Sequence, residues 1–62
     1  MKKAKFKVIC QYGSNTYTIK AEEPEYERFN YTASSLGDCM THIYQITRTI
    51  RQEGAKAVFV FE

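Results

Sequence analysis

Tryptophan is absent, proline and histidine occur once each, cysteine twice and glycine three times, and the longest apolar run is the five residues from Ala57 to Phe61. Each scarcity removes a class of protein. A membrane-spanning helix needs about 20 predominantly apolar residues in a row, so no membrane partner is expected. The opening Met1-Lys2-Lys3 leads into apolar residues that Lys5 and Lys7 interrupt, where a signal peptide holds about 7 to 15 of them together. No targeting segment is read, and the expected location is cytoplasmic. Cys10 and Cys39 follow no CxxC spacing, which speaks against a zinc ribbon or a disulfide scaffold and for two reduced thiols.

The same scarcity limits chemistry. Nucleophilic catalysis needs a thiolate or hydroxyl beside a base that a third group orients. His42 follows Cys39 by three residues, but a helical stripe through this region turns the thiol inward and the imidazole outward. No catalytic residue, no metal ligand set and no cofactor is therefore expected. Gly13, Gly37 and Gly54 are too scattered for a phosphate-binding loop. The acids from Glu22 to Glu27 lack the spacing and turn glycine of a calcium loop and read as a solvated segment.

What is present is a foldable chain. Its 62 residues make one domain, 1–62, and 44% of them are hydrophobic with a net charge of only +2, well outside the composition of disordered chains. A core of this size supplies roughly 3 to 5 kcal/mol, so association with a partner or a second copy is an expected source of stability. Charge is segregated: Lys2, Lys3, Lys5, Lys7 and Lys20 fall in the first twenty residues without an acid, and Glu22, Glu23, Glu25 and Glu27 follow.

Periodicity predicts an α+β fold of two layers, a three- or four-stranded mainly antiparallel sheet in the order ββ(β)αβ with one helix on one face. Ala4, Phe6, Val8, Cys10 and Tyr12 alternate with Lys3, Lys5, Lys7, Ile9 and Gln11, the pattern of a half-buried strand. Gly13-Ser14 suits a type II′ turn, and a loop there sets Cys10 opposite Tyr17, Val8 opposite Ile19 and Phe6 opposite Ala21. Pro24 ends the second strand. Phe29, Tyr31 and Thr32 then alternate weakly, which favours a third strand within Glu27 to Thr32 over an extended crossover lying along the sheet edge. Ser35-Leu36-Gly37-Asp38 fits a capping box, and Leu36, Cys39, Met40, Ile43, Ile46, Thr47 and Ile50 recur at helical spacing up to a glycine cap at Gly54. The helix is predicted over Ser35 to Glu53, with Ile43 at the centre of the core and His42, Gln45, Arg48, Thr49 and Gln52 facing away.

The last strand is apolar on both faces: Ala57, Phe59 and Phe61 on one, Val58 and Val60 on the other. One helix covers one face only. The expected partner-binding surface is therefore the open sheet face, formed by Lys5, Lys7, Ile9, Lys20, Val58 and Val60. Lys7 opposite Lys20 is a like-charge pair that a purely structural sheet avoids, and it equally serves to keep sheets from aggregating. Two functions follow. The first is a protein-binding module whose open face or last strand docks on another protein or a second copy, giving a homodimer. The second is a nucleic-acid binder that sets the lysines against phosphates.

The order of elements, a lysine-rich hairpin from Phe6 to Glu22, a short crossover, one helix and a final strand, resembles that of several tiny phage proteins. These include an inhibitor of host RNA polymerase and an antitoxin that occupies a host ribonuclease toxin. The segment Glu25 to Tyr31 is an addition to that layout. The resemblance implies a non-enzymatic inhibitor of a host protein or defence system, encoded by a phage or mobile element, and transfers no functional residue.

Overall fold

The alternation of the first twenty residues becomes a hairpin, which two further strands extend at its edges and on one face of which the helical elements pack. The computed structural model describes residues 2–62: β1 (Lys2–Gln11), β2 (Thr16–Ala21), a 3-10 helix (Pro24–Phe29), β3 (Tyr31–Ala33), α1 (Leu36–Gln52) and β4 (Ala55–Phe61). The sheet has four strands in the order β3-β2-β1-β4. It is mixed, because β1 and β4 run parallel while the other two pairings are antiparallel. The fold is α+β.

Cys10 pairs with Tyr17, Val8 with Ile19 and Phe6 with Ala21, the register that keeps apolar residues on one face. The turn differs from the expected type II′. Four residues, 12–15, close the hairpin, Ser14 N–H donates to the Gln11 carbonyl at 3.3 Å, and the left-handed residue is Asn15, with φ 53°. Asparagine tolerates that conformation better than other residues with a β-carbon, so the loop does not require positive φ at Gly13.

The third strand expected within Glu27 to Thr32 is present but starts late, as Tyr31–Ala33, and the residues before it, up to Phe29, are helical. Pro24 sits at the start of a 3-10 helix, where its fixed φ and missing N–H cost nothing. In a three-residue period, residues i and i+3 eclipse, so Tyr26 and Phe29 both reach the sheet and meet Phe6, each with ring centroids 6.2 Å away. The third strand begins only at Tyr31. Asn30 bridges the two elements, its Oδ1 accepting the Ala21 N–H at 2.8 Å.

Ser35 caps α1 as expected, its Oγ accepting the Asp38 N–H at 3.1 Å, and Gly54 leaves the helix with φ 85°. The buried stripe is narrower than the sequence suggests. Cys39, Ile46 and Ile50 are buried, Ile43 is half-buried, and Leu36 and Met40 are 53% and 50% exposed. The helix packs across β4, β2 and β3, and near its start His42 stacks on Tyr31 with centroids 3.6 Å apart. Leu36 and Met40 thus lie outside the core, whose largest fully buried side chains are Phe6, Val8, Ile19, Cys39 and Ile50.

Denaturant melts separate the two helix faces. Ile50→Ala should cost about 2 to 5 kcal/mol, enough to unfold a domain of this size, while Met40→Ala should stay within about 0.5 kcal/mol of the parent. A second melt tests the turn: Gly13→Ala should stabilise by about 0.4 to 1 kcal/mol, because φ is not positive there and an added Cβ meets no atom within 4 Å. A loss of stability on that change would restore the type II′ turn.

Candidate functional site

Strand alternation and register decide which side chains share the uncovered face. Both α1 and the 3-10 helix lie on the side of Phe6, so the opposite face of the sheet carries no second layer among the described residues. Lys5 stands beside Val58 and Lys7 beside Val60 across the parallel pair, and Lys7 faces Lys20 across the hairpin. Ile9 faces Thr18, and Thr18 in turn faces Thr32, with their hydroxyls 3.4 Å apart. All six residues expected at the site therefore share one face. Lys5, Lys7, Lys20 and Val60 are exposed, while Ile9 and Val58 are half-buried.

Lys56 belongs there too, opposite Lys3. The sequence reasoning missed it, although its position two residues before Val58 puts it on the same side of the strand. Acids are fewer: Glu22, whose N–H donates to the Lys5 carbonyl at 3.0 Å, and Glu62, whose Oε1 lies 3.7 Å from Lys7 Nζ. Lys7, Ile9, Lys20, Glu22 and Glu62 border a shallow depression of about 400 Å³. Every aromatic side chain of the strands, Phe6, Tyr17, Tyr31, Phe59 and Phe61, alternates onto the helix side. The face thus offers ammonium groups around an aliphatic strip. It can hold carboxylates or phosphates at its rim and exclude water at its middle, and it has no ring on which a base could stack.

A second cluster lies on the helix side, where His42 departs from its expected outward position. Tyr31 Oη donates to Asp38 Oδ2 at 2.8 Å, and His42 Nδ1 lies 3.1 Å from the Asp38 carbonyl oxygen and 3.3 Å from Oδ1. Asp38 thus serves the helix N-terminus and ties β3 to the first turn of α1. His42 Nε2 makes no hydrogen bond among the described residues. Cys39 turns the other way into the core, and burial, then the nearby Asp38 charge, push its thiol up from the ordinary range. Arg28 anchors the 3-10 helix to the far end of α1 through both carboxylate oxygens of Glu53, at 2.6 and 2.8 Å.

Two measurements test these environments. The hydrogen bond to Asp38, then desolvation and the carboxylate charge, raise Tyr31 above its ordinary 10.0. Above about pH 10 the unfolded chain therefore binds fewer protons than the folded one, and stability falls as pH rises toward the folded value. Tyr31→Phe should make that decline shallower. Tyr17, raised first by the neighbouring Cys10 charge, keeps its own share. In thiol labelling, half-buried Cys10 should react while Cys39 waits for unfolding, and equal rates would contradict the burial of Cys39.

Compared with known proteins, the chain matches no protein-family model, no curated protein and no solved structure.

Proposed function

We propose that the protein is a small non-enzymatic binding module that sets its bare sheet face on an acidic patch of another protein. The observation that carries this reading is the aliphatic strip of Ile9, Val58 and Val60 standing beside Lys5, Lys7 and Lys20 on a face that no other element covers. An apolar centre within a charged rim is the anatomy of a protein interface, and the ammonium groups would steer an acidic partner into register. The lysine stems also cover part of the strip while it waits, since such side chains lie along apolar surface with the charge in water.

A host protein is the proposed target, and the element order supports it, being similar to that of small phage-encoded proteins that occupy a host enzyme. The free thiols of Cys10 and Cys39 suit a reducing cytoplasm. Phosphate binding is the second reading, favoured by the excess of lysine over acid on this face. Against sequence-tolerant single-strand binding stands the lack of any stacking ring there.

The two readings separate in one experiment. Immobilised protein is exposed to bacterial lysate with and without nuclease, alongside the folded variants Ile9→Asp and Lys5→Glu/Lys20→Glu. A discrete protein held after nuclease treatment, and bound at least about tenfold more weakly by both variants, is the expected result. Capture that disappears with nuclease, or that falls steeply with salt and is indifferent to Ile9→Asp, would move the function to nucleic acid. Binding untouched by either variant would remove this face from consideration.

A further inference from the structure

The sheet order ends at β4, so a seven-residue strand, apolar on both faces, lies at an open edge. The direction of its backbone groups follows from one hydrogen bond: the Glu62 N–H donates inward to the Val8 carbonyl at 2.9 Å. Strand residues turn both backbone groups alternately to one side and the other. Lys56, Val58 and Val60 therefore also bond toward β1, and Ala55, Ala57, Phe59 and Phe61 turn their N–H and C=O groups outward, where no strand meets them. Natural edge strands are usually shortened, charged or covered. This one carries a single charge, Lys56.

Exposed apolar side chains gather at the same edge. Apart from Tyr12 in the hairpin turn, the large apolar side chains exposed among the described residues are Leu36, Met40 and Tyr44 on α1 and Val60 and Phe61 on β4, between 49% and 65% exposed. Leu36, Met40 and Tyr44 follow one another at four-residue spacing and so line one flank of α1. Thr47, three residues after Tyr44, shares that flank, and with Arg51 it borders a depression against Ala55, Lys56 and Ala57. The apolar flank therefore faces β4, on the side where Phe59 and Phe61 project.

We infer that the occupant of this edge is the β4 strand of a second copy, paired antiparallel about a two-fold axis at Phe59. A two-fold axis perpendicular to the sheet places each residue opposite one of the same face, so the register must centre on a residue. Centred on Phe59, the outward-facing residues meet as hydrogen-bonded pairs, Phe59 with its own copy and Ala57 with Phe61, each exchanging two hydrogen bonds. The small residue lies against the large one. On the bare face the same register sets Val58 against Val60 and Lys56 against Glu62, twice by symmetry. Centred on Val58 instead, Lys56 would face Val60 and neither charge would find the other. The strand is thus complementary to itself in hydrogen bonding, size and charge, which an isologous contact requires. The paired sheet would run through eight strands, and the helix flanks would close over the phenylalanines.

This inference does not rest on the reading of the lysine face, and the two fail separately. A monomer would leave partner capture by Lys5, Lys20 and Ile9 untouched, and loss of capture would leave the mass unchanged. Sedimentation equilibrium at low ionic strength should give twice the 7.2 kDa chain mass at micromolar concentration. Lys56→Glu and Glu62→Lys, each checked for helix content by circular dichroism, should raise the dimer dissociation constant about tenfold by setting like charges opposite each other. Mixing the two variants in equal amounts should restore the wild-type affinity to within about threefold, since a mixed pair again matches acid to base at both positions. A wild-type chain that stays monomeric to about 1 mM would overturn the pairing, as would a dimer indifferent to both variants or one that mixing fails to restore.

Discussion

Phe6 is the side chain on which the other elements converge. It is fully buried in the middle of β1, stacked on Phe59 at 5.1 Å and 17°, and met edgewise or at a tilt by Phe29 and Tyr26. Those three rings come from β4 and the 3-10 helix, elements that have weak reasons of their own to sit where they do. A 3-10 helix is rarely stable by itself, and β4 is an edge strand held on one side only. Aromatic contacts of this kind add about 0.5 to 1.5 kcal/mol each beyond the area they bury, a large share of what a chain this short can muster. Phe6 thus couples the crossover segment to the last strand through the first.

One consequence is an uneven sheet. The 3-10 helix and α1 both lie on the Phe6 side, and among the described residues no element covers the other. A strand parallel to its neighbour usually lies between two covering layers, and the apolar pattern of β4 is that of a strand with two. Here the second layer is missing, and lysines alternate along the adjoining strand in its place. Lysine stems of this kind can lie along apolar surface with the charge in water. This pairing of an aliphatic strip with ammonium groups is the feature on which the proposed function rests.

A second consequence is the position of the helix. The tie from Tyr31 to Asp38 and the stack of Tyr31 on His42 hold one flank of α1 to β3, while Arg28 fixes its far end to the 3-10 helix. The apolar flank of α1 is then left open toward β4, beside a strand edge with unpaired backbone groups. Two separate deficits, one of side-chain burial and one of hydrogen bonding, coincide at one margin of the molecule.

Signals confined to a few neighbouring residues were decided by the sequence alone. The hairpin register followed from period-two alternation, the helix ends from Ser35 and Gly54, and the shared face of Lys5, Lys7, Ile9, Lys20, Val58 and Val60 from the same alternation applied to three strands. Each depends on backbone geometry that the residue spacing itself imposes. Where two local readings competed, composition could not arbitrate. Asn15 and Gly13 both admit a left-handed residue, and Tyr26 and Phe29 at a spacing of three compete with Phe29 and Tyr31 at a spacing of two. Only the packed structure decided that β4 lies parallel to β1, that Ile50 rather than Ile43 sits at the centre, and that Met40 turns outward. Those outcomes depend on how rings from distant parts of the chain fill one space around Phe6, a nonlocal matter of volume that no pattern within a single element records.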